Sequence, residues 1–330
     1  MNNIILFGAG EIGKTAACLC RMENRKVQYF VDNDPEKQNK YILGIPVIDL
    51  AAYLSMNFSE TDLILCLNES NREQVEAQLK SKGIKSFQVF DGKHNYQRER
   101  IISYTNPKNL EDVILYHVLR NEKEIFYIDI GSNDPFGGSV TKLLYDTKNA
   151  HGINVEPQEH LIKYSNVERP RDINLCVAVG SEKKTERFFH QGALSTFVKQ
   201  NVRSDGCTAE ELEITTLKDI CDSYIKREIN ISFLKVDVEG YEREVLLGAD
   251  FNQYRPNIIV MESTEPCTVI PNYEKWEKIL ITNGYHYVFS HGVNRYYVAD
   301  ERSDLDEEFV GGIEYYRFLY DIYHVKFQRI

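Results

Sequence analysis

Residues 125–157 read IFYIDIGSNDPFGGSVTKLLYDTKNAHGINVEP, and this stretch decides the fold. Its opening apolar run, Ile125 to Ile130, has the length and flanks of a buried parallel strand. Gly131 then permits a tight turn, and Ser132, Asn133 and Asp134 supply the short polar side chains that turns favour. A short helix is expected over Ser139 to Tyr145, and a second strand, Gly152 to Val155, ends on Glu156 and Pro157. Strand, glycine turn, helix, strand and acidic residue is the layout of a nucleoside-binding βαβ unit. The backbone passes close beneath the ligand at the glycine, and the carboxylate after the second strand can accept both ribose hydroxyls.

The loop lacks the GxGxxG spacing that holds a pyrophosphate, and Asp129 and Asp134 would repel one. A cationic nucleoside without phosphates suits it better. S-adenosylmethionine is such a ligand, with Asp129, Gly131, Ser132, Asn133, Glu156 and Pro157 as its expected site.

Working outward, 330 residues are comfortable for two domains. A formal charge of -11 argues against a nucleic-acid backbone as partner, which needs clustered Lys and Arg. No apolar run approaches the ~20 residues of a membrane span. The sequence enters a strand directly after Met1-Asn2-Asn3, with no signal peptide expected. Seven scattered cysteines without a CxxC pair are expected to be free thiols in a reducing cytoplasm.

Upstream, Ile4 to Phe7 is a strand followed by Gly8-Ala9-Gly10-Glu11-Ile12-Gly13, a true GxGxxG. Val27 to Val31 is the next strand and ends on Asp32, about twenty residues after the glycines, as a dinucleotide fingerprint requires. The unit, residues 1–92, is too short for the two halves that hold a complete NAD. It is expected to be a small Rossmann-like α/β domain that binds a nucleotide or sugar, through Gly8, Gly10, Gly13 and Asp32, or serves as a docking module. Its GAG-x-x-G loop, Phe30-Val31-Asp32-Asn33-Asp34-Pro35 and Gly44-Ile45-Pro46-Val47 resemble the N-terminal domains of bacterial sugar-nucleotide acyltransferases.

Downstream, Gly92 to Thr105 reads as a linker and Asn106-Pro107 as a helix start; His117 is expected to be a packed helix residue. Ile173 to Val179 is expected as one buried strand, and Thr216-x-x-Asp219 as a capping box. In Ile231 to Glu244, ISFLKVDVEGYERE, a continued pleat would put Phe233, Lys235, Asp237 and Glu239 on one strand face. Charges in a buried strand are costly unless paired or used, so Lys235 and Asp237 are either a structural ion pair or a working one. The next strand, Asn257 to Met261, ends on Glu262, so two neighbouring strands release acids at the edge where ligands bind. Tyr285 to Val298 reads as a hairpin turning at His291-Gly292. The acidic residues 301–308 read as a connector. The recurrence of Phe309, Ile313, Tyr316, Tyr320, Tyr323 and Phe327 predicts an amphipathic helix packing on this subunit or on a partner in a homo-oligomer.

From Asn106 to Ala299 the sequence resembles the FkbM-type family of S-adenosylmethionine-dependent methyltransferases. The carrying motifs are Asp129-Ile130-Gly131-Ser132-Asn133-Asp134-Pro135, Gly152-Ile153-Asn154-Val155-Glu156-Pro157, Arg169-Pro170-Arg171-Asp172-Ile173-Asn174-Leu175, Leu194-Ser195-Thr196, Phe233 to Glu242 and Tyr254-Arg255-Pro256. The resemblance implies a Rossmann-like class I methyltransferase sheet over residues 106–300, closed by an antiparallel hairpin; residues 301–330 lie beyond it as the acidic connector and C-terminal helix read above. It also implies methylation of hydroxyls, often on sugars of polysaccharides or natural products, in the cytoplasm. His291 and Cys267 depart from the family pattern, where Asp and Gly are usual, and both lie on the expected acceptor side.

The expected acceptor is a sugar, sugar nucleotide or glycan, met by Ser195, Thr196, His291, Asn294 and Arg295. A sugar hydroxyl needs a base or a metal to take or weaken its proton. Asp237 is the candidate base, held ionised by Lys235, with Glu239 and Glu262 orienting the acceptor or, with Asp237, forming a magnesium site. Two other classes compete: an NAD-dependent sugar-nucleotide oxidoreductase using Asp32, and a non-catalytic protein of glycan assembly.

Overall fold

A computed structural model describes residues 3–56, 61–90, 103–203, 207–226 and 228–323. The chain divides into two compact units, residues 1–100 with 310–324, and 101–309 with 325–330. Most of the linker expected at Gly92 to Thr105, and the last residues of the C-terminal periodicity, Phe327 included, lie outside the described residues.

The first unit is a six-stranded sheet. Its strands are β1 (Asn3–Phe7), β2 (Val27–Val31), β3 (Tyr41–Ile42), β4 (Ile45–Ile48), β5 (Thr61–Leu65) and β6 (Gln88–Val89), in the order β3-β4-β2-β1-β5-β6. All neighbouring pairs are parallel except β3 with β4. Helices α1 (Glu11–Met22), α2 (Leu50–Ser55) and α3 (Glu69–Ser81) connect them. Ile5, Phe7, Val31, Leu63 and Leu65 share one core, as near-continuous apolar runs in a two-sided parallel sheet must.

The second unit starts with α4 (Glu111–Val118). The expected start at Asn106-Pro107 is a turn instead, because Asn106 Oδ1 accepts from the Lys108 N–H and Leu110 takes a left-handed φ of 56°. A seven-stranded sheet follows: β7 (Phe126–Ile130), β8 (His151–Val155), β9 (Ile173–Leu175), β13 (Phe233–Val236), β14 (Ile258–Glu262), β15 (Tyr285–His291) and β16 (Asn294–Ala299). The order is β15-β16-β14-β13-β7-β8-β9, parallel except for β16, which runs antiparallel to β14 and β15. This is the Rossmann-like class I methyltransferase sheet with its C-terminal hairpin, as expected. Helices α5 (Lys142–Thr147), α6 (Glu159–Glu168), α7 (Leu217–Tyr224), α8 (Glu242–Leu247) and α9 (Glu277–Thr282) accompany it. The capping box is present, with Thr216 Oγ1 accepting from the Asp219 N–H at 3.0 Å.

One strand expectation is corrected. Ile173 to Val179 is not one strand: β9 ends at Leu175 on the large sheet, and β10 (Ala178–Gly180) joins a small sheet with β11 (Lys184–Phe189) and β12 (Ala209–Thr216). Cys176 and Val177 carry the chain from one sheet to the other, so a single apolar run serves two layers.

The acidic stretch 301–308 is also corrected from a connector to packed structure. It forms a 3₁₀ turn and α10 (Asp306–Phe309), with Leu305 and Phe309 buried. Glu308 meets Arg120 and, at 3.3 Å, the buried His117. Helix α11 (Gly312–Tyr323) then joins the first unit. There Tyr315 and Tyr316 are buried, the Arg21 guanidinium lies 4.4 Å from the Tyr315 ring, and Lys14 pairs with Glu314 at 3.1 Å. Tyr315 and Tyr316 thus find their cover within their own chain.

Burial pushes the Glu308 carboxyl up, but hydrogen bonds from His117 and Arg120 outweigh it and hold it down at about 2. A depressed carboxyl contributes stability above its unfolded pKa that is lost as pH falls through the folded one. Glu308→Gln should therefore destabilise by about 1–2 kcal/mol at pH 7, allowing for solvent screening. In urea titrations the deficit should shrink as pH falls from about 4.5 towards 2.

Candidate active site

The site is built where β7, β8 and β13 end side by side. Asp129, next to last in β7, stands in register with Lys235 of β13 and Asn154 of β8. Beyond β7 the Gly131 and Ser132 N–H groups donate to the Val155 carbonyl, which turns the chain across the sheet edge. Gly131 has φ 80°, and a Cβ there would lie 1.8 Å from the Asp237 carbonyl oxygen. Only glycine fits.

A cavity of about 260 Å³ opens over this turn, and Asp129, Gly131, Ser132, Asn133, Glu156 and Pro157 all line it. Glu156 is 4% exposed and held from both sides: Oε2 accepts from the Asn133 N–H at 3.1 Å, and Oε1 from the Gln158 N–H at 3.0 Å. Burial raises its pKa against these bonds. Asp129 is buried too, and burial outweighs Lys235 and Arg169 to lift its carboxyl to about 6. Its Oδ1 and the Ser132 Oγ are buried without a hydrogen-bond partner. Buried polar atoms without partners on a cavity wall are what a bound ligand would satisfy.

The second half of the cavity belongs to Lys235, Asp237 and Glu239. Lys235 Nζ donates to Asp237 Oδ2 at 3.0 Å. Burial works against the ammonium, but Asp237 and Asp129 prevail and raise its pKa, so Lys235 is charged. The pleat does not continue to Glu239 as the sequence suggested. β13 ends at Val236, and Glu239 and Gly240 take left-handed φ values of 55° and 100°. A left-handed turn, not strand alternation, delivers the Glu239 carboxylate. Three bonds hold that turn: Thr196 Oγ1 and Asn201 Nδ2 each donate to the Glu239 carbonyl at 2.9 Å, and Glu242 Oε1 accepts from the Gly240 N–H at 3.0 Å. Glu242 and Asn201 were not anticipated as site residues, although a Glu three positions after an acidic strand end was a readable cue.

Glu262, at the end of β14, comes close behind. One carboxylate oxygen each from Asp237, Glu239 and Glu262 lies within 4.8 Å of the others. Burial first, and then the Asp237 charge, raise Glu239 to about 8 and push Glu262 well above the usual carboxylate range.

The expected acceptor residues are only partly brought together. Ser195 lines the cavity, whereas Thr196 supports it through the Glu239 carbonyl. Asn294 is the register partner of Glu262 and donates to Glu111 Oε1 at 2.7 Å. His291 ends β15 opposite Asn294. Arg295 points the other way, since successive strand residues alternate faces. Its guanidinium sits 3.9 Å from the Tyr273 ring and pairs with Glu277 at 2.7 Å. In the first unit, Asp32 turns back onto its own glycine loop, Oδ2 accepting from the Ala9 N–H at 2.7 Å and pairing with Lys37 at 3.3 Å. A Cβ at Gly13 would strike the Gly8 carbonyl, so that glycine serves helix–strand contact; at Gly10 the space is open.

Residues 129–287 match the family model described as Methyltransferase FkbM domain. This part of the chain belongs to the FkbM methyltransferase family. Residues 1–90 match a second model, C2185-like, N-terminal. A crystal structure of the methyltransferase FkbM from Methylobacillus flagellatus KT is similar over 90% of each chain, at 13% identity and a TM-score of 0.35. No curated protein matches the chain. The matched residues run from Asp129 of β7 and take in every carboxylate of the cluster, Asp237, Glu239 and Glu262. Among the described residues no helix is long and apolar enough to cross a membrane.

Gly131→Ala should cost about 2–4 kcal/mol, combining left-handed strain with overpacking against the Asp237 carbonyl. Chemical denaturation of the purified variant checks it, and a change below about 1 kcal/mol would contradict the contact.

Proposed function

We propose that the protein transfers a methyl group from S-adenosylmethionine to a hydroxyl of a sugar or sugar nucleotide, in the cytoplasmic synthesis of a surface glycan or natural product. The observation that carries this reading is a single cavity in which a glycine turn, a ribose-type acid and an ion-paired carboxylate meet: Gly131, Glu156 and Asp237. Glu156 is fixed by the Asn133 and Gln158 N–H groups and by the Gln158 side-chain amide at 3.1 Å, so Oε2 keeps a lone pair for one ribose hydroxyl and the second would replace the Gln158 amide. Asp129, buried and with an oxygen to spare, suits the donor's ammonium group.

The reaction is an in-line displacement. The acceptor oxygen attacks the methyl carbon, the carbon–sulfur bond breaks with its electron pair going to sulfur, and the hydroxyl proton passes to Asp237. Holding the reactants aligned supplies most of the acceleration. Lys235 donates to Asp237 and holds its carboxylate towards the cavity for that proton. Residues 1–92 are the candidate recognition unit for the sugar or nucleotide part of the acceptor, by their likeness to sugar-nucleotide acyltransferase domains. Against an oxidoreductase stands Asp32, whose carboxylate is taken up by Ala9 and Lys37 rather than presented to a ribose.

Titration calorimetry with S-adenosylhomocysteine tests the donor site. Glu156→Ala should weaken binding roughly tenfold or more, the worth of a charge-assisted hydrogen bond. Equal affinity would reject the assignment. Asp237→Asn should bind the donor product as wild type does but lose about 10²–10⁴-fold in rate once an acceptor is in hand. A merely structural ion pair would instead lower the melting temperature and leave turnover largely intact.

A further inference from the structure

Strands β13 and β14 are parallel neighbours, so their carboxyl ends release Asp237 and Glu262 side by side, and the left-handed turn returns Glu239 to the same spot. One oxygen from each lies within 4.8 Å of the other two. In six-coordinate geometry, oxygens bound at ~2.1 Å stand ~3 Å apart in cis and ~4.2 Å in trans, and at ~2.4 Å the trans distance is ~4.8 Å. Oxygens all within 4.8 Å of one another are thus close enough for one hard cation to reach, with the side chains drawing in for a smaller ion.

Glu262 adds an observation of a different kind. It is 5% exposed, yet its side chain accepts no hydrogen bond and forms no ion pair among the described residues. A buried carboxylate left bare costs several kcal/mol, unlike an exposed acidic group, which water satisfies. The Glu239 Oε2 is likewise buried and without a donor. Lys235 is the nearby cation, but it is 3.0 Å from Asp237 and makes no ion pair with Glu239 or Glu262. In the donor reading the ammonium faces Asp129 on the other side of the cavity, and the sulfonium turns its methyl to the acceptor oxygen, so neither is bound between these carboxylates. The charge and the spacing of Asp237, Glu239 and Glu262 suit a cation between them.

We propose that Asp237, Glu239 and Glu262 bind one hard divalent cation, magnesium or manganese in class, whose open positions take the acceptor's hydroxyl oxygens. This deepens the methyl-transfer reading and rests on it for the cation's role, though not for its binding. Such an ion would select acceptors that offer two neighbouring hydroxyls and would acidify the one to be methylated. The bonds made and broken remain those given above. Lys235 then orients Asp237, and Thr196 and Asn201 set the turn that presents Glu239.

The test uses the full chain and Mn²⁺ alone, followed by electron paramagnetic resonance of free ion and by calorimetry, with S-adenosylhomocysteine titrated separately into the same preparation. One Mn²⁺ site per chain is expected, weakened at least tenfold in Glu262→Gln and in Glu239→Gln. The exposed Glu210→Gln should bind as wild type. Melting curves by circular dichroism identify a variant that fails to fold, and two ligand variants keep the test open if one does. Absence of saturable Mn²⁺ binding, or binding indifferent to both substitutions, would overturn the cation site. If the homocysteine product still binds in that case, the methyl-donor reading survives its loss. Mn²⁺ binding without product binding would leave the cation site standing and remove the donor reading.

Discussion

Lys235 is the charge on which this site depends. It is a cation inside a parallel sheet, 6% exposed, in register with Asp129 and bonded to Asp237. Without it, Asp129, whose pKa burial already raises, would lose the main charge that holds it down. The ammonium serves both halves of the cavity, since Asp129 lines one and Asp237 the other. Its position is fixed by the β7–β13 register, so the electrostatics of the site follow from strand pairing.

Backbone contact couples the same halves. The glycine turn after β7 is so close to the Asp237 carbonyl that no side chain fits at Gly131. A shift of either loop would move the Gly131 turn and the Asp237 carboxylate together. Beneath the turn, a buried network holds β8 and β9 in place: Arg169 pairs with Asp172 at 3.2 Å and donates to the Tyr127 hydroxyl at 2.6 Å, while Asp172 accepts from the Gly152 N–H at 3.0 Å. Buried polar groups bonded to one another in this way fix a geometry more than they add stability. They explain why the charged motif Arg169 to Asp172 stands between two apolar segments.

The outer elements show how patterns alone can be satisfied in more than one way. Tyrosines at helical spacing after Phe309 specify an apolar face but not its cover, and Tyr315 and Tyr316 find it on the first unit of the same chain. The acidic run before them looks like solvated connector because its partners, Arg120 and His117, lie nearly two hundred residues earlier.

The sequence by itself determined the α/β class, the two glycine turns, the class I strand succession with its final hairpin, and the acids that end strands. These are local properties: an apolar run of strand length, a residue able to take positive φ, and a carboxylate just beyond it are legible without knowing any neighbour. Tertiary structure alone decided what each polar side chain meets. It joined Glu262 to Asp237 across paired strands and brought Glu239 round by a left-handed turn rather than by the pleat. It turned Arg295 into an aromatic and acidic cluster, folded Asp32 onto its own loop, and divided the run from Ile173 to Val179 between two sheets. The reason is range. Backbone preference acts over a few residues, whereas the partner of a buried charge is chosen by register and packing between segments far apart in the chain.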